Sequence, residues 1–408
     1  MGTQISLYFI IITHIFFIVK ELKENKMKIC GIICEYNPFH NGHAYQIAQA
    51  KQQSGADAIL CVMSGNFVQR GESSVMDKYT RAKHAVLAGA DIVIELPTVF
   101  ATSNAEIFAK GGIRLLTSIP HFSHLCFGAE NADKDAFLST ANTLNNEPKT
   151  VSDRIKSFMS TGKSYARARA EAWQDQLPQA LLGSPNNILG LEYTKALLKT
   201  ESTAEILPVR RVGSGYTETK LSGEYASATA IRNAIGTSEN FSKFLPEFVL
   251  NDLPKQTETL LPALEKYAIL ARTKEAIAQT PDCGEGLENA LKDGVERGEK
   301  DLIEALTSAR YTSARIRRIL LQNLLQIDRD ILADCLQSPL YLRILAVKKE
   351  RTDVLSALSE SAFPILVRAY DDEKLCATAK RCLQIDRFAE NVHKLFYPNL
   401  KKEKTIFY

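Results

Sequence analysis

The fold is decided by the stretch Met27-Lys-Ile-Cys-Gly-Ile-Ile-Cys34-Glu-Tyr-Asn-Pro-Phe-His40-Asn-Gly-His43. The apolar run from Ile29 to Cys34 predicts a buried strand, and the residues from Gly42 to Gln53 predict a helix. Pro38 directs the chain out of the strand, and Gly42 lets the backbone come close to a bulky ligand. The stretch is therefore predicted to be a strand, a polar turn and a helix.

The same alternation of strand and helix continues to about Glu130. We expect further strands at Ala58–Met63, Asp91–Leu96 and Leu125–Phe127, with helices at Asp77–Leu87 and Asn104–Ser118. Short apolar strands of this kind are typical of a parallel sheet covered by helices on both faces. The predicted fold class is therefore α/β, a doubly wound parallel sheet of the Rossmann-like type. In such sheets ligands bind beyond the carboxyl ends of the strands, and polar segments follow Cys34, Met63, Leu96 and Phe127.

Three regions are predicted along the chain. Residues 1–26 contain an apolar run that is short against the roughly 20 residues of a membrane-spanning helix, and they lack a signal-peptide cleavage site. We expect translation to begin at Met27, with a membrane anchor as the alternative. Residues 27–240 are predicted to form the α/β domain, which includes a short strand at Glu205–Val209. Residues 241–408 show amphipathic helical patterns and no strand pattern, so a helical second domain is expected.

The composition is that of an ordinary globular protein, with 45% hydrophobic and 24% charged residues among 408. A formal net charge of +3 is too small to indicate a nucleic-acid partner unless the basic residues cluster. The eight cysteines form no Cys-x-x-Cys pair. This usage favours reduced thiols and a cytoplasmic protein over a disulfide framework or a zinc site.

The two histidines of the first turn are the main candidates for chemistry. His40 and His43 are three residues apart, so both can point into the same mouth at the start of a helix. A helix N-terminus attracts anions, and imidazoles there can donate hydrogen bonds to phosphate oxygens. The alternative is that they only cap the helix. A zinc site lacks third and fourth ligands nearby, so no bound metal is predicted.

At this point the sequence resembles a known family. His40-Asn-Gly-His43 resembles the HxGH signature of nucleotidyltransferases, and the wider string Gly31–His43 resembles the tRNA(Met) cytidine acetate ligases. Four further segments agree with that family: Ser64–Glu72, Ala90–Pro97, Ser184–Gly190 and Ser227–Arg232. The sequence departs from the family pattern in two places. Residues 1–26 have no counterpart in it, and Thr217 replaces an expected histidine.

The resemblance implies an ATP site. His40, His43 and Arg232 would be catalytic, and Ser227 and Thr229 would bind the departing phosphates, with an N-capped surface helix as the alternative. Gly128 would contact the nucleotide, with a plain strand-end turn as the alternative. Asn187 (or its neighbour Asn186) would bind nucleotide or acetate, with an Asx turn after Pro185 as the alternative. Arg211 (or Arg210 beside it) would bind a phosphate. The remaining predicted ATP-binding residues belong to the first turn and its flanks: Ile33, Cys34, Glu35, Tyr36, Asn37, Pro38, Phe39, Asn41, Gly42, Ala44, Tyr45 and Gln46.

Two further groups of residues are assigned by the same resemblance. Gly65, Asn66, Gln69 and Arg70 follow the second strand and are expected at the acyl end of the pocket. Basic residues cluster at Lys163, Arg167 and Arg169, and again at Arg310, Arg315, Arg317 and Arg318. If residues 311–327 are helical, Arg315 and Arg318 point away from the buried stripe and could bind tRNA phosphates. A solvated helix face is the alternative.

The function implied is an ATP-dependent acetate ligase. Acetate would attack the α-phosphorus of ATP, with Mg²⁺ as cofactor, and the acetyl group would pass to the wobble cytidine of elongator tRNA(Met). Neither a membrane nor an obligate protein partner is expected. Two rival hypotheses are an adenylyltransferase acting on a phosphorylated cofactor precursor and a non-catalytic RNA-binding protein.

Overall fold

The structure is a computed structural model that describes residues 27–163, 165–174, 177–212, 221, 225–255, 259–367, 372–397 and 406–408. The predictions for residues 1–26 and for Thr217 lie outside the described residues. Across the described ranges, every helix is too short or too polar to span a bilayer.

A mostly parallel sheet organises the chain. Its strands are β1 (Ile29–Cys34), β2 (Ala58–Ser64), β5 (Ile92–Leu96), β6 (Phe122–Ala129), β7 (Glu205–Arg210), β8 (Leu342–Val347), β9 (Ile365–Leu366) and β10 (Ile406–Phe407). The strand order is β10-β8-β5-β2-β1-β6-β7, and β9 pairs with β8. The five neighbouring strands β5-β2-β1-β6-β7 are parallel. From β1 the chain adds β2 and β5 on one side of the sheet, and then β6 and β7 on the other. The predicted doubly wound α/β sheet is confirmed, and its switch point lies where β1 and β6 end.

The strands are apolar on both faces because both faces are covered by helices. Ile29 and Ile33 of β1 pack into one core, whereas Cys30 and Ile32 of the same strand pack into the other. Alternate residues of a strand point to opposite faces, so a continuous apolar run serves two cores at once. The two cores fix the sheet register, and with it the positions of the loops beyond the strand ends.

Within the described ranges, ten helices lie before residue 240. They are α1 (Asn41–Ser54), α2 (Lys78–Leu87), α3 (Thr98–Ala101), α4 (Ala105–Thr117), α5 (Lys134–Asn145), α6 (Lys149–Ser160), α7 (Tyr165–Trp173), α8 (Gln179–Leu182), α9 (Pro185–Leu198) and α10 (Ala228–Ala234). The three with predicted bounds, α1, α2 and α4, begin and end within one residue of the prediction. Side-chain caps define several of their starts: Asp77 accepts from the Tyr79 and Thr80 N–H groups, and Asn104 accepts from Ile107 N–H. A short hairpin, β3 (Phe67–Val68) and β4 (Glu72–Ser73), lies between β2 and α2.

The region after residue 240 is mainly helical, as predicted. Its helices are α11 (Glu247–Leu250), α12 (Leu261–Ala271), α13 (Lys274–Ala278), α14 (Leu287–Glu296), α15 (Leu302–Leu306), α16 (Ser313–Leu324), α17 (Arg329–Gln337), α18 (Thr352–Leu358) and α19 (Ala377–Phe396), with a 3₁₀ turn at Ser242–Phe244. Helices α12 to α16 share a small core of their own, which includes Ile269, Leu291 and Ile316.

The expectation of no strand after residue 240 is wrong. Strand β8 pairs antiparallel with β5 and therefore extends the sheet of the α/β domain. Its sequence, Leu342-Arg-Ile-Leu-Ala-Val347, is short and apolar, and such a run does not distinguish a strand from a buried helix. Because β8 belongs to the main sheet, part of the region 241–408 extends that sheet. The boundary at residue 240 stays a prediction.

A buried ion network attaches this C-terminal segment to the sheet. Arg343 of β8 pairs with Glu95 of β5 at 3.1 Å and with Glu390 of α19 at 2.9 Å. Lys78 pairs with the same two carboxylates, at 2.8 and 3.0 Å. These side chains are almost fully buried, so each charge depends on the others for compensation. The network holds β8 and α19 against the strands that carry the candidate site.

Candidate functional site

A cavity of about 170 Å³ opens beyond the carboxyl ends of β1 and β6. Its position at the switch point of the sheet is the place where open α/β sheets bind ligands. The walls come from segments far apart in sequence: the turn after β1, the β3–β4 hairpin, and the segments around α4, α9, β6, β7 and α10. The lining residues are Ile33, Cys34, Glu35, Tyr36, Asn37, His40, His43, Gln46, Gln69, Arg70, Phe108, Phe127, Gly128, Asn186, Leu189, Tyr193, Arg211, Ser227, Ala228, Thr229 and Arg232.

His40 and His43 cap the start of helix α1, because their rings accept hydrogen bonds from backbone N–H groups there. The Nδ1 atom of His40 accepts from Gly42 N–H at 3.1 Å, and the Nδ1 atom of His43 accepts from His40 N–H at 3.2 Å. The two rings stack with their centroids 3.6 Å apart. An Nδ1 that accepts carries no proton, so a neutral ring in this position has its N–H at Nε2. The cap therefore fixes both tautomers and leaves two Nε2–H donors on rings that line the cavity.

Both rings are held in the neutral state. Burial, with smaller effects from Arg211 and Arg232 in the same direction, lowers the pKa of His40 to about 3. Burial also lowers the pKa of His43, with smaller effects from His40 and Arg211. A cation would be costly here because two arginines already face the cavity. At neutral pH the pair therefore offers hydrogen-bond donors without acting as acids.

The depressed pKa of His40 predicts how stability depends on pH. In the unfolded chain a histidine binds its proton near pH 6.5, whereas folded His40 does not until about pH 3. Between these values the unfolded state binds more protons, so folding stability falls as the pH falls. At pH 4.5 the loss of folding stability that comes from His40 amounts to about 3 kcal/mol. His40→Gln should therefore lose less stability than the parent between pH 7 and 4.5 in urea titrations. Parallel curves for the two proteins would contradict this account.

Arg232 connects the Ser227–Arg232 segment to the turn that carries His40 and His43. Ser227 is the N-cap of α10 and accepts from Ala230 N–H at 3.0 Å, which places Arg232 one turn into the helix. One guanidinium nitrogen of Arg232 donates to the carbonyl of Asn37 at 2.8 Å, and another donates to Thr229 Oγ1 at 3.3 Å. Ser227 therefore caps the helix, and the same segment also lines the cavity through Ser227, Thr229 and Arg232. The bond to Asn37 attaches α10 to the turn that carries the histidines.

Arg211 lies on the other side of the cavity mouth. Its Nε atom is 3.6 Å from Glu130 Oε1, and the same oxygen accepts from Asn186 Nδ2 at 2.6 Å. Arg211 lines the main cavity beside Gly128, whereas Arg210 is exposed and borders only a smaller adjoining pocket. Of the two neighbouring arginines, Arg211 is therefore the one that lines the main cavity, and its contact with a nucleotide stays a prediction.

The expectation that Asn187 contacts the ligand is not met by its position. Asn187 is almost fully buried, and its Oδ1 accepts from the Glu130 and Asn131 N–H groups at 2.9 and 3.3 Å. Its Nδ2 donates to the Ala180 carbonyl at 2.7 Å. The Glu130 and Asn131 N–H groups lie just after β6, so the bonds from Asn187 hold the turn at the end of that strand. Asn186, the alternative considered, lines the cavity in its place.

Several predicted ATP-binding residues of the first turn support the site from outside the cavity. Phe39 is buried, with its ring centroid 4.9 Å from that of Tyr36 and 5.5 Å from that of His43. Asn41 donates to the Lys243 carbonyl at 2.9 Å. Pro38 and Ala44 also lie outside the lining, whereas Gly42 and Tyr45 border the adjoining pocket.

Gly42 lies directly beneath the His40 ring. A Cβ added at this position would be 3.0 Å from His40 Cε1 and 3.1 Å from its Nδ1. A side chain there would require the ring to shift by a few tenths of an ångström. Glycine is therefore favoured by close approach to a catalytic candidate, whereas the sequence pattern predicted close approach to a ligand.

The predicted acyl end of the pocket divides into two parts. Gln69 and Arg70, at the tip of the β3–β4 hairpin, line the cavity. Asn66 is buried and accepts from Lys78 N–H at 2.7 Å, and a Cβ on Gly65 would be 2.5 Å from Glu95 Oε1. Gly65 and Asn66 therefore shape the hairpin base from outside the cavity.

Sequence reasoning missed Arg81, which holds the loops of the site together. Its buried guanidinium donates to the carbonyls of Glu35 and Gly65 and to those of Ser64 and Met76, the last two at 3.2 and 3.1 Å. Burial lowers its pKa to about 10, so it remains a cation at neutral pH. It lies in helix α2, where a lone arginine looks like an ordinary surface residue. The apolar wall of Phe108, Phe127, Leu189 and Tyr193 was also missed.

Arg315 and Arg318 are less exposed than predicted. Arg315 donates to the Asp282 carbonyl at 2.9 Å and pairs with Glu285 at 3.1 Å. Arg318 keeps only 15% of its side-chain area exposed, with its nearest nitrogen 3.9 Å from Asp282. The segment 282–285 covers this face of α16. The helical periodicity of residues 311–327 predicts which side chains face outward, but it does not predict contacts with a distant segment of the chain. The role of the two arginines in tRNA binding stays a prediction.

The other basic cluster is also partly paired. Glu171 of α7 accepts from Lys163 and from Arg167, the latter at 3.1 Å. The carboxylate takes up much of the positive charge of this stretch, so the cluster presents less charge than its sequence indicates.

Comparisons with known proteins agree with this geometry. Residues 27–406 match the family model described as HIGH Nucleotidyl Transferase. A tRNA(Met) cytidine acetate ligase of Clostridium perfringens is 36% identical over 92% of this chain and 97% of its own length. Another from Acetivibrio thermocellus is 35% identical over 91% of this chain and 96% of its own.

Solved structures give the same result. The apo crystal structure of Thermotoga maritima TmcAL superposes with a TM-score of 0.85 at 27% identity, over 93% of this chain and all of that one. The form of TmcAL bound with alpha-thio ATP gives a TM-score of 0.83 at 28% identity, over 92% and 96% of the two chains. The chain therefore belongs to the tRNA(Met) cytidine acetate ligase family, within the HIGH nucleotidyl transferases.

Proposed function

We propose that this chain is an ATP-dependent ligase that activates acetate as acetyl-adenylate and transfers the acetyl group to N4 of the wobble cytidine of elongator tRNA(Met). The observation that carries the proposal is the mutually capped pair His40 and His43, which faces the same cavity as Arg211 and Arg232. Relatives of this chain along almost their whole length bear the name of that activity.

In the first step a carboxylate oxygen of acetate attacks the α-phosphorus of ATP. The bond from that phosphorus to the bridging oxygen of the β-phosphate breaks, and pyrophosphate leaves with the bonding electrons. The Nε2–H groups of His40 and His43 donate to phosphate oxygens, and Arg232 and Arg211 compensate the charge that grows on the leaving group. Neutral donors suit this role because the attack of acetate on ATP involves no proton transfer.

The cavity fits Mg²⁺ only as a partner of the nucleotide. In the portion of the chain that the structure describes, no cluster of three or more His, Cys, Asp or Glu side chains could hold a metal ion. Mg²⁺ commonly keeps several waters and is bound largely through substrate phosphates. When bound in this way it would neutralise triphosphate charge, and Glu35 is the cavity carboxylate available to its hydration shell.

In the second step the N4 amine of cytidine attacks the acetyl carbonyl of the adenylate. The bond from the acyl carbon to the AMP oxygen breaks, AMP leaves, and the amine releases a proton. Gln69 and Arg70 line the same cavity and would hold the acyl end. No covalent enzyme intermediate is needed. Burial raises the pKa of Cys34 well above its ordinary value, so its thiol stays protonated and is a poor nucleophile.

The test is product identification. Purified protein is incubated with ATP, isotopically labelled acetate and tRNA(Met), and the tRNA is digested to nucleosides for mass spectrometry. The proposal predicts labelled N4-acetylcytidine, with one AMP and one pyrophosphate formed per acetyl group. Transfer of AMP to a phosphorylated cofactor precursor would support the adenylyltransferase hypothesis. Binding of tRNA with no turnover of ATP would support a non-catalytic RNA-binding protein.

The role of Arg315 and Arg318 can be tested separately from the chemistry. Changing both to glutamine should raise the KM for tRNA about tenfold, because two phosphate contacts are lost. Acetate-dependent exchange of pyrophosphate into ATP, which needs no tRNA, should keep the parent rate. Unchanged transfer kinetics would show that this face of α16 does not bind the RNA.

A further inference from the structure

The β3–β4 hairpin lies between the cavity and the helical region. On one side, Gln69 N–H donates to the cavity carboxylate Glu35 at 2.7 Å. On the other side, Gly71 has a φ of +74°, and a Cβ there would be 2.5 Å from the backbone carbon of Arg317 in α16. Only glycine fits both this conformation and this approach. The hairpin is therefore in direct contact with α16 and with the ATP cavity.

Glu72 forms an ionic bridge across this contact. Its Oε1 is 3.3 Å from a guanidinium nitrogen of Arg317, and its Oε2 is 3.7 Å from a guanidinium nitrogen of Arg232. Glu72 keeps 32% of its side-chain area exposed and Arg317 keeps 39%, whereas Arg232 keeps only 15%. The cavity arginine is thus connected through one carboxylate to an arginine of the helical region.

Three contacts of Arg232 bear on the orientation of its guanidinium. The Asn37 carbonyl and Thr229 Oγ1 hold two of its nitrogens, and Glu72 attracts the same nitrogen that donates to Thr229. A guanidinium is a planar fork, so these partners together set the plane in which its remaining N–H groups meet a phosphate. Pairs this exposed contribute little to stability, but they can fix the orientation of a side chain.

We propose that Glu72 is a positioning residue for Arg232 in adenylate formation, and that Arg317 acts on the same step through Glu72. This proposal rests on the proposed function. It gives the helical region a part in activating acetate before any RNA is present. The carboxylate competes with the triphosphate for Arg232, and Arg317 limits that competition by drawing the carboxylate toward α16.

The arrangement predicts a separation of kcat from KM. In Glu72→Gln the isosteric side chain keeps its volume and loses its charge, so Arg232 is less well oriented when the pyrophosphate leaves. The kcat of acetate-dependent exchange, measured without tRNA, should fall about tenfold. The KM for ATP should stay the same or fall, because a negative charge near the triphosphate has been removed. Loss of folded enzyme would also lower the apparent kcat at an unchanged KM, so the rate is calculated per ATP-binding site counted by calorimetric titration.

Arg317→Met has a different expected effect. Without Arg317, the Glu72 carboxylate is drawn more strongly to Arg232, so ATP binding should weaken about threefold. Calorimetric titration with ATP alone measures this directly. In the double variant Glu72→Gln with Arg317→Met the weakening should disappear, because the competing charge is absent. Arg310→Met, an exposed arginine beside α16 that pairs with Glu285 at 3.9 Å, is the matched control and should behave as the parent.

The outcomes separate this proposal from the proposed function. If the parent shows no acetate-dependent exchange, the proposed function fails, and the calorimetric comparison still tests the bridge. If Arg317→Met matches Arg310→Met in both assays, the helical region has no part in the ATP site. If Glu72→Gln raises the KM for ATP at unchanged kcat, or if the double variant shows additive losses, the bridge is not a positioning device. Thermal melting of every variant confirms that each is folded.

Discussion

His43→Ala is expected to reduce acetate-dependent exchange of pyrophosphate into ATP by at least about 100-fold. The substitution removes an Nε2–H donor from the cavity and also the Nδ1 acceptor that holds the His40 N–H group. The stacked partner ring then loses its support at a centroid distance of 3.6 Å, so both donors are affected. The measurement is incorporation of labelled pyrophosphate into ATP at saturating acetate.

Two controls show that the loss is specific to the site. His121→Ala removes a histidine that pairs with Glu360 at 3.2 Å, far along the sheet from the cavity mouth, and should leave exchange unchanged. Binding of tRNA by His43→Ala, measured by filter retention, should stay close to that of the parent. Full exchange activity in His43→Ala would remove the imidazole pair from the mechanism.

Arg232→Met is expected to lower kcat/KM for the same exchange by about 100-fold to 1,000-fold. The change removes the cation of the Ser227–Arg232 segment and breaks the hydrogen bond from α10 to the Asn37 carbonyl. Arg232→Lys should restore less than about a tenth of the lost rate. A single ammonium cannot donate to Asn37 and Thr229 and still present a planar fork to the departing phosphates.

The matched control for Arg232 is Arg210→Met. Arg210 is an exposed arginine that borders only the adjoining pocket, so its loss should change the rate by no more than about twofold. The expected loss in Arg232→Met lies mainly in kcat, because the compensated charge appears as the bond breaks. A variant with a raised KM and the parent kcat would show that Arg232 binds ATP without assisting departure of pyrophosphate.

Local patterns were sufficient to predict the parallel strands of the sheet before residue 240 and the cavity at their carboxyl ends. Ile29–Cys34, Ala58–Met63 and Asp91–Leu96 are apolar runs between polar turns, and strands occupy these positions within one or two residues. Because parallel strands end at one edge, the polar residues after them had to converge. The spacing of His40 and His43 directly after the first strand was enough to place both side chains in that mouth.

The features that escaped prediction depend on contacts between distant parts of the chain. Strand β8 reads as a short apolar run, and only pairing with β5 makes it a strand. Arg81 is the centre of the loop framework because four carbonyls meet around it, and no local signal reports such a meeting. The same reason explains why Asn186 lines the cavity while Asn187 braces a turn, since one position along α9 changes which way a side chain points.

The central claim is that a carboxylate attacks the α-phosphorus beside the capped histidine pair. The most direct measurement is pyrophosphate exchange by the parent protein with a panel of short carboxylates, each with and without tRNA. The account predicts exchange that requires acetate, is strongest with acetate, and proceeds without tRNA. Exchange that is absent with every carboxylate, or that requires a phosphorylated acceptor in place of acetate, would contradict it.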